Sequence, residues 1–375
     1  MYNEKILFVY NSRLSYLPPF MSLLDYLIET GKYEITVISA EEEISTYKAY
    51  ADKIKIISYY KGRINNGLFD KLRIRLCQTL YFCYRLWKDI RHIPYDILWV
   101  IHTNSVIPIR SLLKRRTYIF SDYEWYDSDK LRYNASKFAQ QHATVNVVCE
   151  TNRAWFSKCK FGLKELPVVL PNKMWKRYTS DMLDPQLQNS VKGKKIILYQ
   201  GIIHKERPLD SLCEAISLMP DYSLLLLGNE SDYSKSLLKK YSNILYHPFV
   251  TPPHHLSITK IAHIGIVFYD DNKSLNCAYC APNKIWEYSM FSIPMLYNDI
   301  PGLNNTIGVY KAGEKIKLSD KESIMKAITK IDADYTSYRK SSEEFYNSCN
   351  ISSIIDAILK KYEERCFSSK DSKTS

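Results

Sequence analysis

The run Ala281-Pro282-Asn283-Lys284-Ile285-Trp286-Glu287-Tyr288, continued by Phe291-Ser292-Ile293-Pro294, decides how the rest of the chain is read. Pro282 suits the first position of a helix, where a missing N–H costs nothing. A helix from there sets Lys284 and Glu287 three residues apart on one face and turns Ile285, Trp286 and Met290 toward a core. Ser292 and Pro294 close it, and Met295-Leu296-Tyr297 reads as a strand. A helix N-terminus attracts anions through its free N–H groups and dipole. Lys284 strengthens that attraction, and Glu287, one turn deeper, suits hydrogen bonds from hydroxyl groups. Phosphate at the helix start with a sugar beside the carboxylate describes a nucleotide. From spacing alone an ordinary amphipathic helix with a surface Lys–Glu pair is the commoner reading, since such pairs are frequent and weak.

The run Pro-Asn-Lys-Ile-Trp-Glu-Tyr, with Ile293-Pro294 behind it, resembles the donor-site helix of bacterial retaining glycosyltransferases of the family 4 type. Those enzymes have two facing Rossmann-like domains (the GT-B fold). The resemblance implies that Glu287 binds the nucleotide ribose and that Asn283 and Lys284 belong to the donor site. Two positions depart from the family pattern. Tyr279 stands where a second Glu often touches the donor sugar, and Ser292 stands where Gly is usual.

With 375 residues the chain suits two domains of ordinary size. Apolar residues at 46% and charged residues at 25% exclude a disordered chain. No apolar run is long enough to span a bilayer, and the N-terminus leads directly into a strand-like run without a secretory signal. A cytoplasmic protein is expected. Nine Cys at irregular spacing fit reduced thiols better than a disulfide framework, and the lone Cys277-Ala-Tyr-Cys280 lacks a second pair for zinc. No metal and no cofactor are expected. The formal charge of +12 favours an acidic partner such as anionic lipid or sugar phosphate. No zinc-finger or RNP signature accompanies it, which argues against nucleic acid.

Lys5–Tyr10, a helix from Pro19 to Gly31 and Glu34–Ser39 give a β-loop-α-β start, hence a parallel sheet with helices on its faces. Leu68–Ile90 reads as a helix mixing Lys71, Arg73, Arg75, Arg85 and Lys88 with Leu80, Tyr84 and Trp87. Basic charge with interfacial aromatics marks a helix lying on anionic lipid, and a core helix with a solvated basic side has the same periodicity. His102 follows the strand Asp96–Ile101 on the crevice side of such a sheet. The resemblance implies that it lies against the donor sugar. Asp122-Tyr-Glu-Trp-Tyr-Asp127, after the strand Thr117–Ser121, resembles the family loop that faces the acceptor, which implies acceptor-side roles for Asp122 and Glu124.

The segment 173–193, rich in Lys, Asp, Gln and Ser, reads as a linker between a first domain (1–172) and a second (194–345). In the second, the strand Lys195–Tyr199 runs into Gly201 and then Arg207-Pro208-Leu209. This resembles the family stretch whose Arg binds the donor diphosphate. Gly228 repeats the strand–glycine pattern, where a backbone can approach a ligand. Asp270-Asp271-Asn272 reads as a loop. Ser319 and Glu322 have capping-box spacing. A last helix, 346–367, packs back on the first domain in relatives, and 368–375 reads as a disordered tail.

Together these features predict an α/β chain of two facing Rossmann-like domains with the active site in the cleft between them. The implied activity is transfer of a sugar from a nucleotide-sugar to a glycan acceptor on a lipid, in capsule, O-antigen or exopolysaccharide synthesis at the inner face of the cytoplasmic membrane. Retention follows from the family likeness. His102, Arg207 and Lys284 are the candidate catalytic residues. Gly201, Arg207, Gly228, Asn283, Lys284 and Glu287 are the candidate donor contacts. A nucleotide-sugar epimerase on the same fold and a non-catalytic glycan- or membrane-binding relative are the alternatives.

Overall fold

Runs of aliphatic and aromatic residues form the strands of two sheets in the computed structural model, which describes residues 4–40, 48, 50–58, 80–81, 83–178, 183–269 and 274–374. The chain divides into two units, Met1–Pro171 with Ile351–Ser375, and Asn172–Asn350. The first holds β1 (Glu4–Tyr10), β2 (Tyr33–Ser39), β3 (Lys55–Ser58), β4 (Ile97–Ile101), β5 (Ile119–Asp122), β6 (Val145–Val148) and β7 (Val168–Val169), in the order β3-β2-β1-β4-β5-β6-β7. The second holds β8 (Lys195–Gln200), β9 (Tyr222–Gly228), β10 (Ile244–Pro248), β11 (Ile264–Val267), β12 (Met295–Asn298) and β13 (Gly313–Ile316), in the order β10-β9-β8-β11-β12-β13. All paired neighbours are parallel. Each unit is thus a doubly wound Rossmann-like sheet, with its strand order reversing beside β1 and β8. Ligands of such sheets bind at the carboxyl ends of the strands at the reversal.

Strand side chains alternate between two cores, because helices cover both faces. In the second unit Leu198, Leu225, Leu227 and Val267 join one core with Ile285, Trp286 and Tyr288. Ile197, Tyr199, Leu224, Leu226 and Ile266 join the other with Leu212, Ile216, Ile324 and Ile328. In the first unit Leu86 and Ile90 of the helix at 83–92 share a core with Ile109, Leu113 and Phe138. That helix, Arg110–Leu113 and Lys130–His142 therefore form one layer.

Several boundaries differ from the sequence expectation. Pro282 is the N-cap residue, extended at φ −73° and ψ 140°, and the helix runs Asn283–Met290. It ends in a Schellman turn, with Ile293 N–H donating to the Tyr288 carbonyl (3.1 Å) and Ser292 N–H to that of Ser289 (3.0 Å). Ser292 sits at φ 58°, which explains why glycine is favoured at this position. A side chain in that conformation costs about 1 kcal/mol, so Ser292→Gly should raise the thermal midpoint. An unchanged or lowered midpoint would show the turn to be unstrained.

Asp320, not Ser319, caps the helix Lys321–Ala333, accepting from Glu322 N and Ser323 N. Residues 173–193 belong to the second unit and include a helix, Pro185–Val191, capped by Asp184. Lys173 Nζ donates to the carbonyls of Tyr346 (2.5 Å) and Cys349 (2.6 Å), tying the segment down. The last helix, Ile351–Thr374, groups with the first unit, where Tyr26 Oη donates to Asp356 at 2.7 Å. It continues where the sequence suggests a disordered tail, since neither Gly nor Pro interrupts it.

Candidate active site

The helix Asn283–Met290 is fixed on its sheet by one contact pair. Tyr288 lies against Gly265 of β11, where a Cβ would fall 2.5 Å from the ring, and its hydroxyl donates to the Leu198 carbonyl at 2.9 Å. Trp286 stacks on Phe345 with ring centroids 4.3 Å apart. These contacts bury one side of the helix and leave Lys284 and Glu287 on the side toward the end of β8.

At that strand end Gln200 and Gly201 meet both residues. Glu287, only 8% exposed, accepts from Gln200 Nε2 at 2.5 Å and from His255 Nε2 at 3.2 Å. Thr259 Oγ1 donates to Gln200 Oε1 at 2.9 Å, which fixes the orientation of the amide. A carboxylate oxygen has capacity for more than one donor. Glu287 is therefore held in place yet can still receive a hydroxyl.

Lys284 extends over Gly201, where a Cβ would stand 2.9 Å from Nζ. Gly201 has φ 132°, so a side chain there would be strained as well as crowded. The ammonium lies 5.2 Å from the Tyr199 ring centroid and 5.9 Å from that of Tyr269, and the Arg207 guanidinium lies 5.6 Å from Tyr269. Burial, and then the neighbouring Arg207 charge, push the Lys284 amine down to about 8, with Glu287 opposing. The amine remains charged at neutral pH and loses its proton as pH rises through that value. An anion bound between the two cations would hold the proton on. Among the described residues neither cation has an ion-paired carboxylate, so the pair carries a repulsion that an anion relieves.

Gly228 plays a different part from the ligand approach expected of it. Its missing Cβ makes room for the Gly201 carbonyl oxygen, 2.1 Å from where that atom would be. Asn283 is half-buried at the start of the helix, and the preceding Ala281 carbonyl accepts from Asn172 Nδ2 at 2.7 Å. Residues 270–273, which include Asp270-Asp271-Asn272, lie outside the described residues. Among the described residues no group of three or more His, Cys, Asp or Glu is placed to hold a metal ion.

In the first unit His102 follows β4 beside the strand-order reversal. It takes φ 69° and ψ 144°, a conformation that costs a non-glycine residue about 1–3 kcal/mol and is typical of functional positions. Its Nδ1 accepts from Asn104 N–H at 3.3 Å, which places the proton on Nε2, 3.2 Å from Tyr126 Oη. Arg132 Nε donates to Asn104 Oδ1 at 2.9 Å, and Asn11, at the end of β1, donates to the Asn104 carbonyl at 3.3 Å.

Burial, and then the Arg132 charge, lower the His102 pKa from 6.5 to about 4. The unfolded chain takes up this proton at higher pH than the folded one. Stability from this residue is thus complete above 6.5 and falls as pH drops toward 4. His102→Gln should show a smaller loss of thermal midpoint between pH 6.5 and 4.5 than the wild type. Equal losses would contradict the assignment.

The loop after β5 corrects one expectation. Asp122 is 4% exposed and its carboxylate is occupied by Thr103 Oγ1 (3.0 Å), Ser136 Oγ (2.5 Å) and Gln140 Nε2 (3.4 Å). It positions two helices against β5 instead of facing an acceptor, and burial raises its pKa to about 6. The aromatic residues of this loop are also interior. Trp125 stacks on Phe161 at 5.3 Å, and Tyr123 is buried. Glu124 is exposed, and Tyr126 is half-buried against His102.

Of the expected membrane-facing residues, Lys71, Arg73 and Arg75 lie outside the described residues. Arg85 is half-buried and turned along its own helix, donating to Tyr81 Oη at 3.1 Å and pairing with Asp89 at 3.8 Å. Lys88 is exposed, in a stripe with Leu80, Tyr84, Trp87 and Arg91. Sequence reasoning missed Arg91, whose guanidinium lies 4.1 Å from the Trp87 ring centroid. It also missed His255, Thr259, Tyr199 and Tyr269. Gln200 was legible as the last residue before the glycine of a reversal strand, but His255 carries no local signal.

No family model matches the chain, and no curated protein sequence matches it. Solved structures do. Sucrose-phosphate synthase from Thermosynechococcus elongatus superposes with a TM-score of 0.69 at 13% identity, covering 98% of this chain and 100% of that one. HepE of Anabaena in complex with UDP gives 0.65 at 12% identity, with coverages of 98% and 100%. A Listeria monocytogenes protein assigned as a UDP-N-acetylglucosamine 2-epimerase gives 0.66 at 11% identity, with coverages of 96% and 95%. The chain has the two-unit Rossmann-like architecture of the GT-B glycosyltransferases.

Proposed function

We propose that the chain is a glycosyltransferase that moves a sugar from a nucleoside diphosphate sugar to a glycan acceptor carried on a lipid, with retention of anomeric configuration. The setting is assembly of a bacterial capsule, O-antigen or exopolysaccharide at the cytoplasmic face of the membrane. The observation that carries this reading is the pair Arg207 and Lys284, two cations that have no ion-paired carboxylate among the described residues, beside a pre-positioned Glu287 at a strand-order reversal. A diphosphate satisfies the cations and a ribose diol satisfies the carboxylate. HepE, a structure of the same fold, is a complex with UDP.

In the reaction the bond between the anomeric carbon and the diphosphate oxygen breaks. The acceptor hydroxyl oxygen bonds the same carbon, and its proton passes to the departing phosphate. Negative charge grows on the diphosphate as its bond lengthens, so groups fixed around it stabilise the transition state more than the ground state. Arg207 supplies a planar fork of donors. Lys284 supplies a second charge, and the N–H groups at the start of the helix Asn283–Met290 a third source of attraction. No strong base is needed, and the chain's own cations meet the charge without a metal. His102 and Glu124 keep the roles that the family likeness implies, toward the donor sugar and the acceptor.

The stripe of Tyr84, Trp87, Lys88 and Arg91 supports a peripheral hold on anionic lipid. Among the described residues no helix is long and apolar enough to cross a membrane. A second reading, a nucleotide-sugar epimerase, is favoured by the Listeria structure and uses the same donor site without an acceptor. Calorimetric titration with a panel of uridine, guanosine, thymidine and cytidine diphosphate sugars tests the donor site. One base class should bind saturably, and binding of none would overturn the proposal.

A further inference from the structure

A second basic site lies on the first unit, away from the end of β4. A groove of about 900 Å³ runs between the segment 107–114 and the helix Lys130–His142. Arg110 and Lys114, four residues apart, line one wall, and Asn134, Lys137 and Phe138 line the other. No carboxylate is among the lining residues, and among the described residues the three cations have no ion-paired acid. The Arg110 guanidinium lies over the Phe138 ring, 4.5 Å from its centroid, which fixes the group while leaving its charge unpaired. Ile107 exposes an apolar surface at the rim. The site is therefore cationic and donor-rich, with an apolar edge.

We propose that this groove binds the phosphate of an anionic phospholipid headgroup. Arg110 and Lys137 take the phosphate oxygens, Lys114 adds charge, and Ile107 at the rim receives the first carbons beyond the ester. Charge complementarity selects the phosphate, since three cations without an acid cannot be neutralised from within the groove. Location selects a lipid. The groove belongs to the same helical layer as the helix at 83–92, through the shared core of Leu86, Ile90, Ile109, Leu113 and Phe138. That neighbour exposes Tyr84 and Trp87, rings that favour the membrane interface. The inference rests on the membrane-associated reading above and deepens it. Diffuse attraction holds the helix near the surface, and the groove holds one headgroup.

The test is titration of the full chain with a short-chain phosphatidylglycerol kept monomeric below its micellar concentration. Wild type should bind saturably. Arg110→Gln/Lys137→Gln should bind more than tenfold more weakly, since each basic residue removed near a lipid phosphate costs about fivefold. Lys160→Gln/Lys164→Gln, which removes the same charge from exposed positions elsewhere on the unit, should bind as wild type does. Equal affinity in the groove variant, or an equal loss in the control variant, overturns the proposal. Inorganic phosphate binding as tightly as the lipid would assign the groove to free phosphate and overturn the lipid assignment.

Flotation on vesicles of phosphatidylglycerol and phosphatidylcholine separates the two levels. If wild type fails to float at low salt, the membrane reading itself falls. If wild type floats, Trp87→Ala/Lys88→Gln/Arg91→Gln does not, and the groove variant binds short-chain lipid normally, only the groove falls.

Discussion

In Arg207→Ala, turnover of the nucleotide-sugar falls by about a hundred- to a thousandfold, while donor affinity changes by about tenfold or less. The asymmetry follows from when the charge develops. On the proposed reading the ground-state diphosphate already has Lys284 and the helix N-terminus beside it. As the glycosidic bond breaks, the added charge falls on oxygens that the guanidinium can bridge with two parallel N–H groups. Arg207→Lys restores the charge without the fork, so it should recover only part of the rate. Arg207 is half-buried and lies against Tyr269, so removing it leaves the sheet and its cores intact. Steady-state kinetics on wild type and both variants decide the matter. A rise in KM with unchanged kcat would make Arg207 a binding residue only.

Glu287→Ala should weaken nucleotide binding by about ten- to a hundredfold, the worth of hydrogen bonds to a charged group. It should also lower stability by about 1–3 kcal/mol, because Gln200 Nε2 and the His255 N–H both lose their acceptor in a buried place. Glu287→Gln separates the two effects. It keeps the volume but must turn an NH2 group toward one of two donors, and so cannot satisfy both. The amide variant should lose less stability than the alanine variant, since one donor keeps its acceptor, and still bind poorly. Unchanged nucleotide affinity in both variants would remove Glu287 from the donor site.

Most of the fold was legible because both sheets are built from short apolar runs set off by Gly and Pro. The exception in the second unit is β13, Gly313–Ile316, whose Glu314 and Lys315 interrupt the apolar pattern at a sheet edge. Edge strands tolerate such charges, and Glu314 finds Lys330 at 2.8 Å. That Gly201, Arg207, Lys284 and Glu287 gather at one strand end was legible for a different reason. Each follows a local rule, a strand-end glycine or a helix start, and the strand order alone brings β8 beside β11.

What could not be read is long-range convergence. Asp122 ends a strand as expected, but nothing local shows that Thr103, Ser136 and Gln140 close over it. Gln200, Thr259, His255 and Glu287 form one hydrogen-bonded chain only because Leu256–Thr259 packs near the end of β8. Pro282 and Asp320 show the smaller scale of the same limit. A cap depends on one residue's backbone angles, and neighbouring candidates such as Ser319 satisfy the sequence rule equally well.

On the proposed reading this chain breaks the sugar–diphosphate bond of a nucleotide-sugar and passes the sugar on unchanged. The measurement that meets it most directly is incubation of the full chain with each nucleotide-sugar of the base class it binds, following nucleoside diphosphate release and the identity of the sugar together. A glycosyltransferase releases the nucleoside diphosphate slowly by hydrolysis and faster with a lipid-linked glycan acceptor, and the released or transferred sugar keeps the configuration of its ring carbons. Recovery of an epimerised sugar, or no release with any donor that binds, would contradict the account.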